Sequence, residues 1–118
     1  MLEHELYTVL ETTDNTVCVR LKPESVIFQA HFPDNPIMPG VCIVGMVEEL
    51  VERMKGCRLT LSEARNVKYL AVLKPDANQD VIVCFDKVEE DGIRLRTNGV
   101  VMADEKVYTK FSLIFARV

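Results

Sequence analysis

Three prolines spaced three residues apart are the feature that most limits how this chain can fold. In the stretch HFPDNPIMPG, residues 31–40, they are Pro33, Pro36 and Pro39. Each proline fixes its own φ angle, and the residue before it is driven toward an extended conformation. The stretch can therefore be neither helix interior nor a paired central strand. We expect a stiff connector that holds His31 in a defined position relative to the apolar run beginning at Val41.

One segment after this connector has the periodicity of a helix. In VCIVGMVEELVERMKG, apolar residues recur at helical spacing, and Gly56 is placed to end the helix. We predict a central helix over residues 40–55. Because its first turn is apolar almost all round, we expect that end of the helix to be buried.

The rest of the chain is dominated by short segments typical of β-strands, separated by turn residues. These segments are YTVLETT, TVCVRLK, NVKYLAVLK, VIVCFDKV, IRLRTNGVVM and KVYTKFSLIF. One helix with five or six antiparallel strands predicts an α+β fold, in which a single sheet wraps around the helix in one domain spanning residues 1–118. Such a sheet leaves an edge strand open, so we expect dimers that form by sheet extension.

Composition excludes several classes of function. The net charge is −4 and no basic cluster is present, which argues against nucleic acid and anionic membrane surfaces as partners. No apolar run approaches the roughly 20 residues that cross a bilayer, and the acidic N-terminus is unlike a secretory signal. We therefore expect a cytoplasmic protein. Its four cysteines lack metal-ligand spacing and only two histidines occur, so we expect reduced, mostly buried thiols, no metal and no cofactor.

The stretch HFPDNPIMPGV closely resembles the signature of the β-hydroxyacyl-acyl carrier protein dehydratases, hotdog-fold enzymes of fatty-acid synthesis. It shares the histidine, the three prolines and the Pro-Gly pair that enters the central helix. SVIFQAHF resembles the strand that leads to the histidine in this family. NVKYLAVLKPDAN resembles the strand after the helix, and NGVVMADEKVYTKFSLIF resembles the closing hairpin. The likeness runs from about residue 7 to the C-terminus and implies the hotdog fold.

The resemblance also implies a reaction, the reversible syn-type loss of water from a 3-hydroxyacyl thioester to give the trans-2-enoyl product. This reaction needs a base for the α-proton, an acid for the departing hydroxyl, and donors to the enolate-like thioester oxygen. The resemblance implies that His31 is the base. It also implies that the amides of Gly40 and Val41 at the helix start polarise the thioester carbonyl. The other expected substrate-binding residues are Phe32, Pro39 and Gly45.

The implied partners are an acyl carrier protein that carries the acyl thioester and a second subunit. That subunit is another copy of this chain, in a homodimer or higher homo-oligomer, or a homologous dehydratase in a heterodimer. The acyl chain is expected to lie in a tunnel of aliphatic side chains between the helices of the two subunits.

Gly45 stands where the resemblance implies the catalytic acid. In the family, a glutamate or aspartate fourteen residues after the histidine is contributed to the site by the partner subunit, and glycine has no proton to offer. Glu48 and Glu49 lie about one helical turn later, near the same face. Glu49 is the expected substitute for this acid, while Glu48 and a water molecule remain alternatives.

Three classes of function therefore stay open. The first is a 3-hydroxyacyl-carrier-protein dehydratase with an altered acid. The second is a non-catalytic dehydratase-like subunit that binds an acyl carrier protein or pairs with an active homologue. The third is a hotdog acyl thioesterase, in which Glu48 or Glu49 activates water or attacks the thioester. The proline motif favours the first two classes, because thioesterases of this fold generally lack it.

Overall fold

A computed structural model describes residues 1–118 as one antiparallel sheet and two helices. The strands are β1 (Tyr7–Thr12), β2 (Thr16–Leu21), β3 (Leu59–Tyr69), β4 (Asp80–Asp91), β5 (Arg94–Ala103) and β6 (Lys106–Arg117). The helices are α1 (Val26–Ala30) and α2 (Gly40–Lys55), and neither has the length and apolar character needed to cross a membrane. The strand order β1-β2-β4-β5-β6-β3 confirms the predicted α+β class with a single sheet.

Helix α2 packs against the sheet as the central helix of the fold. Its buried residues, which join one apolar cluster with the inward side chains of the strands, are Ile43, Met46, Val47, Leu50 and Val51. The helix ends at Gly56, whose φ of 63° lies in the left-handed region and whose N–H bonds the Glu52 carbonyl. The predicted bounds 40–55 are thus confirmed.

The expected burial of the first turn of α2 holds only in part for the single chain, since Ile43 is buried but Val41 is not. Val41 is 79 % exposed, although it lies within the most apolar part of the helix. Apolar residues in a first turn predict a covering surface, but no other element of this chain covers Val41. An uncovered apolar helix end is a feature that a partner subunit would explain.

The segment SVIFQ forms a short helix, α1, and not the strand that the resemblance implied. Ser25 caps this helix, because its side chain accepts a hydrogen bond from the Ile27 amide at 3.3 Å. Only Phe28 of the helix is buried, so a single turn is enough to anchor it in the core. Alternation over five residues cannot separate one helical turn from a short strand.

Strand β3 forms an edge of the sheet and begins earlier than the sequence suggested. The strand predicted in NVKYLAVLK starts seven residues upstream, at Leu59, and ends at Tyr69, so residues 70–79 are irregular. It pairs with β6 on one side only, and all its residues except Leu59 are at least partly exposed. Because neither face is buried in the single chain, the apolar alternation that marks a strand is missing from its first half.

All four cysteines are free thiols, as expected, but they are half-buried rather than mostly buried. They are Cys18, Cys42, Cys57 and Cys84. Burial raises the pKa of Cys42, which lies in the first turn of α2. This thiol is therefore less ionised than a free cysteine at neutral pH and is a poor nucleophile.

Candidate active site

His31 ends helix α1, and its ring orientation is set by that helix. Its backbone N–H bonds the Phe28 carbonyl at 3.1 Å, and its ring Nδ1 lies 3.1 Å from the Ile27 carbonyl oxygen. A carbonyl oxygen only accepts hydrogen bonds, so Nδ1 carries the hydrogen. The neutral ring then keeps a free lone pair on Nε2, the form that a general base requires.

The connector after His31 is closed by backbone hydrogen bonds. The Ile37 amide donates to the His31 carbonyl at 2.7 Å, and the Met38 amide donates to the Leu73 carbonyl at 2.8 Å. Residues 31–39 lie outside helices and strands, as the proline spacing predicts. The connector is therefore tied to His31 at one end and to the segment after β3 at the other, immediately before α2 begins.

The N-terminus of α2 presents two amides without an acceptor. Pro39 is the N-cap residue and has no side-chain group to accept from them. Its carbonyl accepts from the Cys42 amide at 3.0 Å and the Ile43 amide at 3.1 Å, which leaves the N–H groups of Gly40 and Val41 free. These donors lie at the positive end of the helix dipole, so the helix start suits a carbonyl oxygen that gains negative charge.

Tyr69, at the end of β3, covers the start of α2. A Cβ atom on residue 40 would lie 2.6 Å from Cζ of Tyr69 and 2.7 Å from its hydroxyl oxygen. Such distances leave no room for a side chain at residue 40 unless the Tyr69 ring moves aside. The sequence analysis did not single out Tyr69, because an aromatic residue in a strand segment is ordinary.

An apolar cleft of about 410 Å³ opens beside this contact. It is lined by the end of the connector, the start of α2 and the segment after β3, including Ile37, Met38, Ile43, Val72 and Leu73. Gly40 and Tyr69 also border it, so the phenol is the polar side chain where the cleft meets the helix start. Burial raises the pKa of Tyr69, and its hydroxyl therefore keeps its proton at neutral pH.

The space beside Gly45 is filled by the N-terminal segment of the chain. A Cβ atom on residue 45 would lie 2.9 Å from Cδ1 of Leu2. The clash is with the flexible end of a side chain, which can move without a backbone shift. The glycine at the position of the implied acid is thus coupled to the packing of Leu2.

Glu49, four residues further along α2, anchors the same segment. Its carboxylate accepts hydrogen bonds from the Leu2 amide at 2.7 Å, the Glu3 amide at 3.0 Å and the Tyr7 hydroxyl at 2.8 Å. Burial raises the pKa of Tyr7, and the bond to Glu49 raises it further. Both oxygens of Glu49 are occupied as acceptors. This arrangement suits a structural anchor better than the expected role of acid, which needs a proton on one oxygen.

Glu48 has different surroundings. It is half-buried, and burial raises the pKa of its carboxyl group, with repulsion from Glu52 adding to the effect and the Leu61 amide opposing it. Glu48 therefore keeps a proton to higher pH than an ordinary glutamate. Of the two helix glutamates, Glu48 has the surroundings that suit a proton donor.

Comparison with known families gives a match over most of the chain. The profile of the ApeI-like family, described as ApeI dehydratase, matches residues 8–109. The matched range includes His31, the connector, both helices and four of the six strands in full.

Curated relatives of this chain are named 3-hydroxyacyl-[acyl-carrier-protein] dehydratase FabZ. The protein from Caldicellulosiruptor bescii is 34% identical over 97 residues, which cover 75% of this chain and 67% of that protein. The protein from Caldanaerobacter subterraneus subsp. tengcongensis is 30% identical over 95 residues, which cover 75% of this chain and 66% of that protein. The chain thus spans about two thirds of the length of these relatives.

Solved structures of similar shape show the hotdog fold. One is a chain of the dehydratase heterocomplex ApeI:P from Xenorhabdus doucetiae, with a TM-score of 0.71, 17% identity and coverage of 98% of this chain and 100% of that chain. Another is thioesterase superfamily member 2 from Mus musculus, with a TM-score of 0.67, 9% identity and coverage of 96% and 82%. Dehydratases and thioesterases therefore share this architecture, and the architecture alone does not choose between them.

Proposed function

Because the chain belongs to the ApeI-like dehydratase family, we propose that it binds 3-hydroxyacyl thioesters and supplies the base and the carbonyl donors for their dehydration. One arrangement carries this proposal: a histidine with a free Nε2 is held by a closed connector next to a helix that starts with two free amides. The names of the FabZ relatives support an acyl carrier protein as the carrier of the thioester.

In the proposed reaction, Nε2 of His31 removes a proton from C2 of the substrate. The electron pair of the broken C–H bond forms the C2=C3 double bond, while the C3–O bond breaks and the hydroxyl leaves with a proton as water. Negative charge that develops on the thioester oxygen is stabilised by the N–H groups of Gly40 and Val41. The acyl chain lies in the apolar cleft that starts at the same helix end.

Neither His31 nor the helix amides supply the proton for the departing hydroxyl. Position 45 has no side chain that could provide it, and Glu49 is held by the N-terminal segment. Glu48, a water molecule or a group from a second subunit remain as sources, and of the two helix glutamates Glu48 is the one whose carboxyl pKa is raised by burial.

A second subunit is part of this proposal. The exposed start of α2 and the open edge of β3 both offer surfaces that association would cover. A partner joined along β3 would extend the sheet and bring a second central helix close to the first. We propose a homodimer as the basic assembly, or a heterodimer with a homologous chain.

The test is an assay of the purified full chain with a 3-hydroxyacyl carrier protein, and with the enoyl product in the reverse direction. We expect interconversion of the two thioesters, with loss of all but a few per cent of the rate in His31→Ala while the fold is retained. A rate that survives in His31→Ala would remove this residue from the role of base. Release of free carrier thiol in place of the enoyl product would show a thioesterase instead.

The second candidate function is a non-catalytic subunit that pairs with an active homologue. The observation that favours it is Gly45, whose neighbouring space is occupied by Leu2, so that this helix has lost the acid and filled its place. The similar chain in the ApeI:P heterocomplex is consistent with such pairing. Inactivity of the chain alone, followed by activity after mixing with a homologue that carries the helix carboxylate, would favour this second function.

A further inference from the structure

The hydroxyl group of Tyr69 lies against the helix start at which the proposed thioester carbonyl binds. It is 2.7 Å from the position that a Cβ atom on Gly40 would occupy, and the ring covers the same glycine. No group of the chain forms a hydrogen bond with this hydroxyl, and the residue is 52 % exposed. The hydroxyl is therefore free to donate a hydrogen bond to a bound molecule.

We propose that Tyr69 is a third hydrogen-bond donor to the carbonyl oxygen of the bound acyl thioester, beside the amides of Gly40 and Val41. This inference rests on the proposed function and adds a side chain to the carbonyl-binding site. The contact with Gly40 is the structural basis of this inference. Residue 40 has no side chain, and the phenol of Tyr69 occupies the space that a side chain would fill.

The chemistry of the phenol favours donation of a hydrogen bond over transfer of the proton. Burial raises the pKa of Tyr69, so formation of the tyrosinate is costly and the neutral hydroxyl persists at neutral pH. A neutral donor beside two backbone amides stabilises charge that develops on the carbonyl oxygen. Tyr69 is therefore not the acid that protonates the departing hydroxyl. The source of that proton does not depend on this proposal.

The position of Tyr69 also links the polar and apolar parts of the site. Its ring is one wall of the apolar cleft, while its hydroxyl is at the end of the cleft where α2 begins. An acyl chain in the cleft would then place its thioester group beside the phenol.

The test is infrared spectroscopy of trans-2-butenoyl-pantetheine, labelled with ¹³C at the thioester carbonyl and bound to the full chain. In the wild type we expect the carbonyl band to move to lower wavenumber on binding, because donors weaken the C=O bond. In Tyr69→Phe, which keeps the ring and removes only the hydroxyl, the displacement should be clearly smaller. In the matched control Tyr108→Phe, a tyrosine of β6 outside the cleft, it should equal that of the wild type.

Activity provides the second measurement. In a chain that turns over, Tyr69→Phe should lower kcat by about 10²-fold, which is typical of the loss of one preorganised donor, with little change in KM. A wild type that binds the probe, with the same band position in Tyr69→Phe, would overturn the role of Tyr69 and leave the proposed function intact. A wild type that does not bind the probe would overturn the proposed function and this inference together.

Discussion

Glu48 and Glu49 are neighbours in sequence, yet their carboxyl groups have different surroundings and suit different roles. Glu49 accepts three hydrogen bonds from the N-terminal segment and Tyr7, which makes it a link between α2 and the start of the chain. Glu48 is half-buried beside Glu52 and keeps a proton more readily than an ordinary glutamate. The sequence alone favoured Glu49 as the acid, because helical spacing locates a side chain on a face and does not show which hydrogen bonds it already makes.

Glu49→Gln tests the anchoring role. The amide has one acceptor oxygen, and its NH₂ group would face donors, so we expect a loss of about 1–3 kcal/mol in the free energy of unfolding. Urea denaturation measures this loss, and hydrogen exchange at the amides of Leu2 and Glu3 should become faster. Glu48→Gln is the matched control and should leave these two amides protected. Unchanged stability and exchange in Glu49→Gln would contradict the anchoring role.

The raised pKa of Glu48 predicts a specific dependence of stability on pH. A carboxyl group whose pKa is higher in the folded than in the unfolded state favours folding below the unfolded pKa, and this contribution is lost as pH rises through the folded pKa. Glu48→Gln removes the titration. The variant should therefore gain stability relative to the wild type at pH 7, and the gain should shrink or vanish at pH 4. Urea denaturation at both pH values checks the sign, and an equal difference at the two values would speak against the shift.

At the scale of secondary structure, helix α2 is the element that the sequence predicts best. Its periodicity and Gly56 define bounds that the structure reproduces, since the helix buries one continuous apolar stripe. The short helix α1 and the first half of β3 were not predicted. Helix α1 has a single buried residue, and the first half of β3 is exposed on both faces, so neither carries a periodic apolar signal.

Some residues of the candidate site could likewise be predicted from the sequence, and others could not. The proline motif identified His31 and the start of α2, because the spacing of prolines and glycine is local. Tyr69 and Leu2 come from distant parts of the chain, and only the fold brings them to Gly40 and Gly45. Their packing against these glycines has no signature in a single sequence.

Helix α2 and the N-terminal segment are coupled through Gly45, and a double-mutant cycle tests this coupling. Gly45→Glu introduces a carboxylate at the position of the implied acid but forces Leu2 aside, so we expect an overpacking cost of about 1–3 kcal/mol. Adding Leu2→Ala should relieve much of that cost. The sum of the two single effects would then exceed the effect of the double variant. Thermal unfolding measures all three variants, and simple additivity would contradict the contact.

At the scale of the whole molecule, the single chain leaves two surfaces uncovered. The sheet ends in an almost fully exposed strand at β3, and the first turn of α2 presents Val41 to solvent. Both features follow from the same topology, in which the chain buries one face of the sheet and leaves its edge and the helix start open. The proposed base and the helix amides lie in this chain, whereas position 45, where the acid is implied, has no side chain.

Association through these surfaces predicts a dimer in solution. Analytical ultracentrifugation of the full chain at micromolar concentration should give twice the mass of 13.4 kDa. Val41→Asp places a charge on the exposed start of α2 and should shift the equilibrium toward the monomer, while Val26→Asp, a similarly exposed position on α1, is the control. A wild type that is monomeric at this concentration would contradict the homodimer and favour a partner of another sequence.

The central claim, that this chain supplies the base and the helix amides of a site that lacks the acid implied at position 45, is tested by co-expression of two forms of it. One form is the wild type, and the other is Leu2→Ala/His31→Ala/Gly45→Glu, which lacks the base and carries a carboxylate at position 45. The dehydration rate of the mixed assembly should exceed the sum of the rates of the separate forms. It should also exceed that of a mixture in which the second form keeps Gly45. A mixture no more active than this control would contradict the claim.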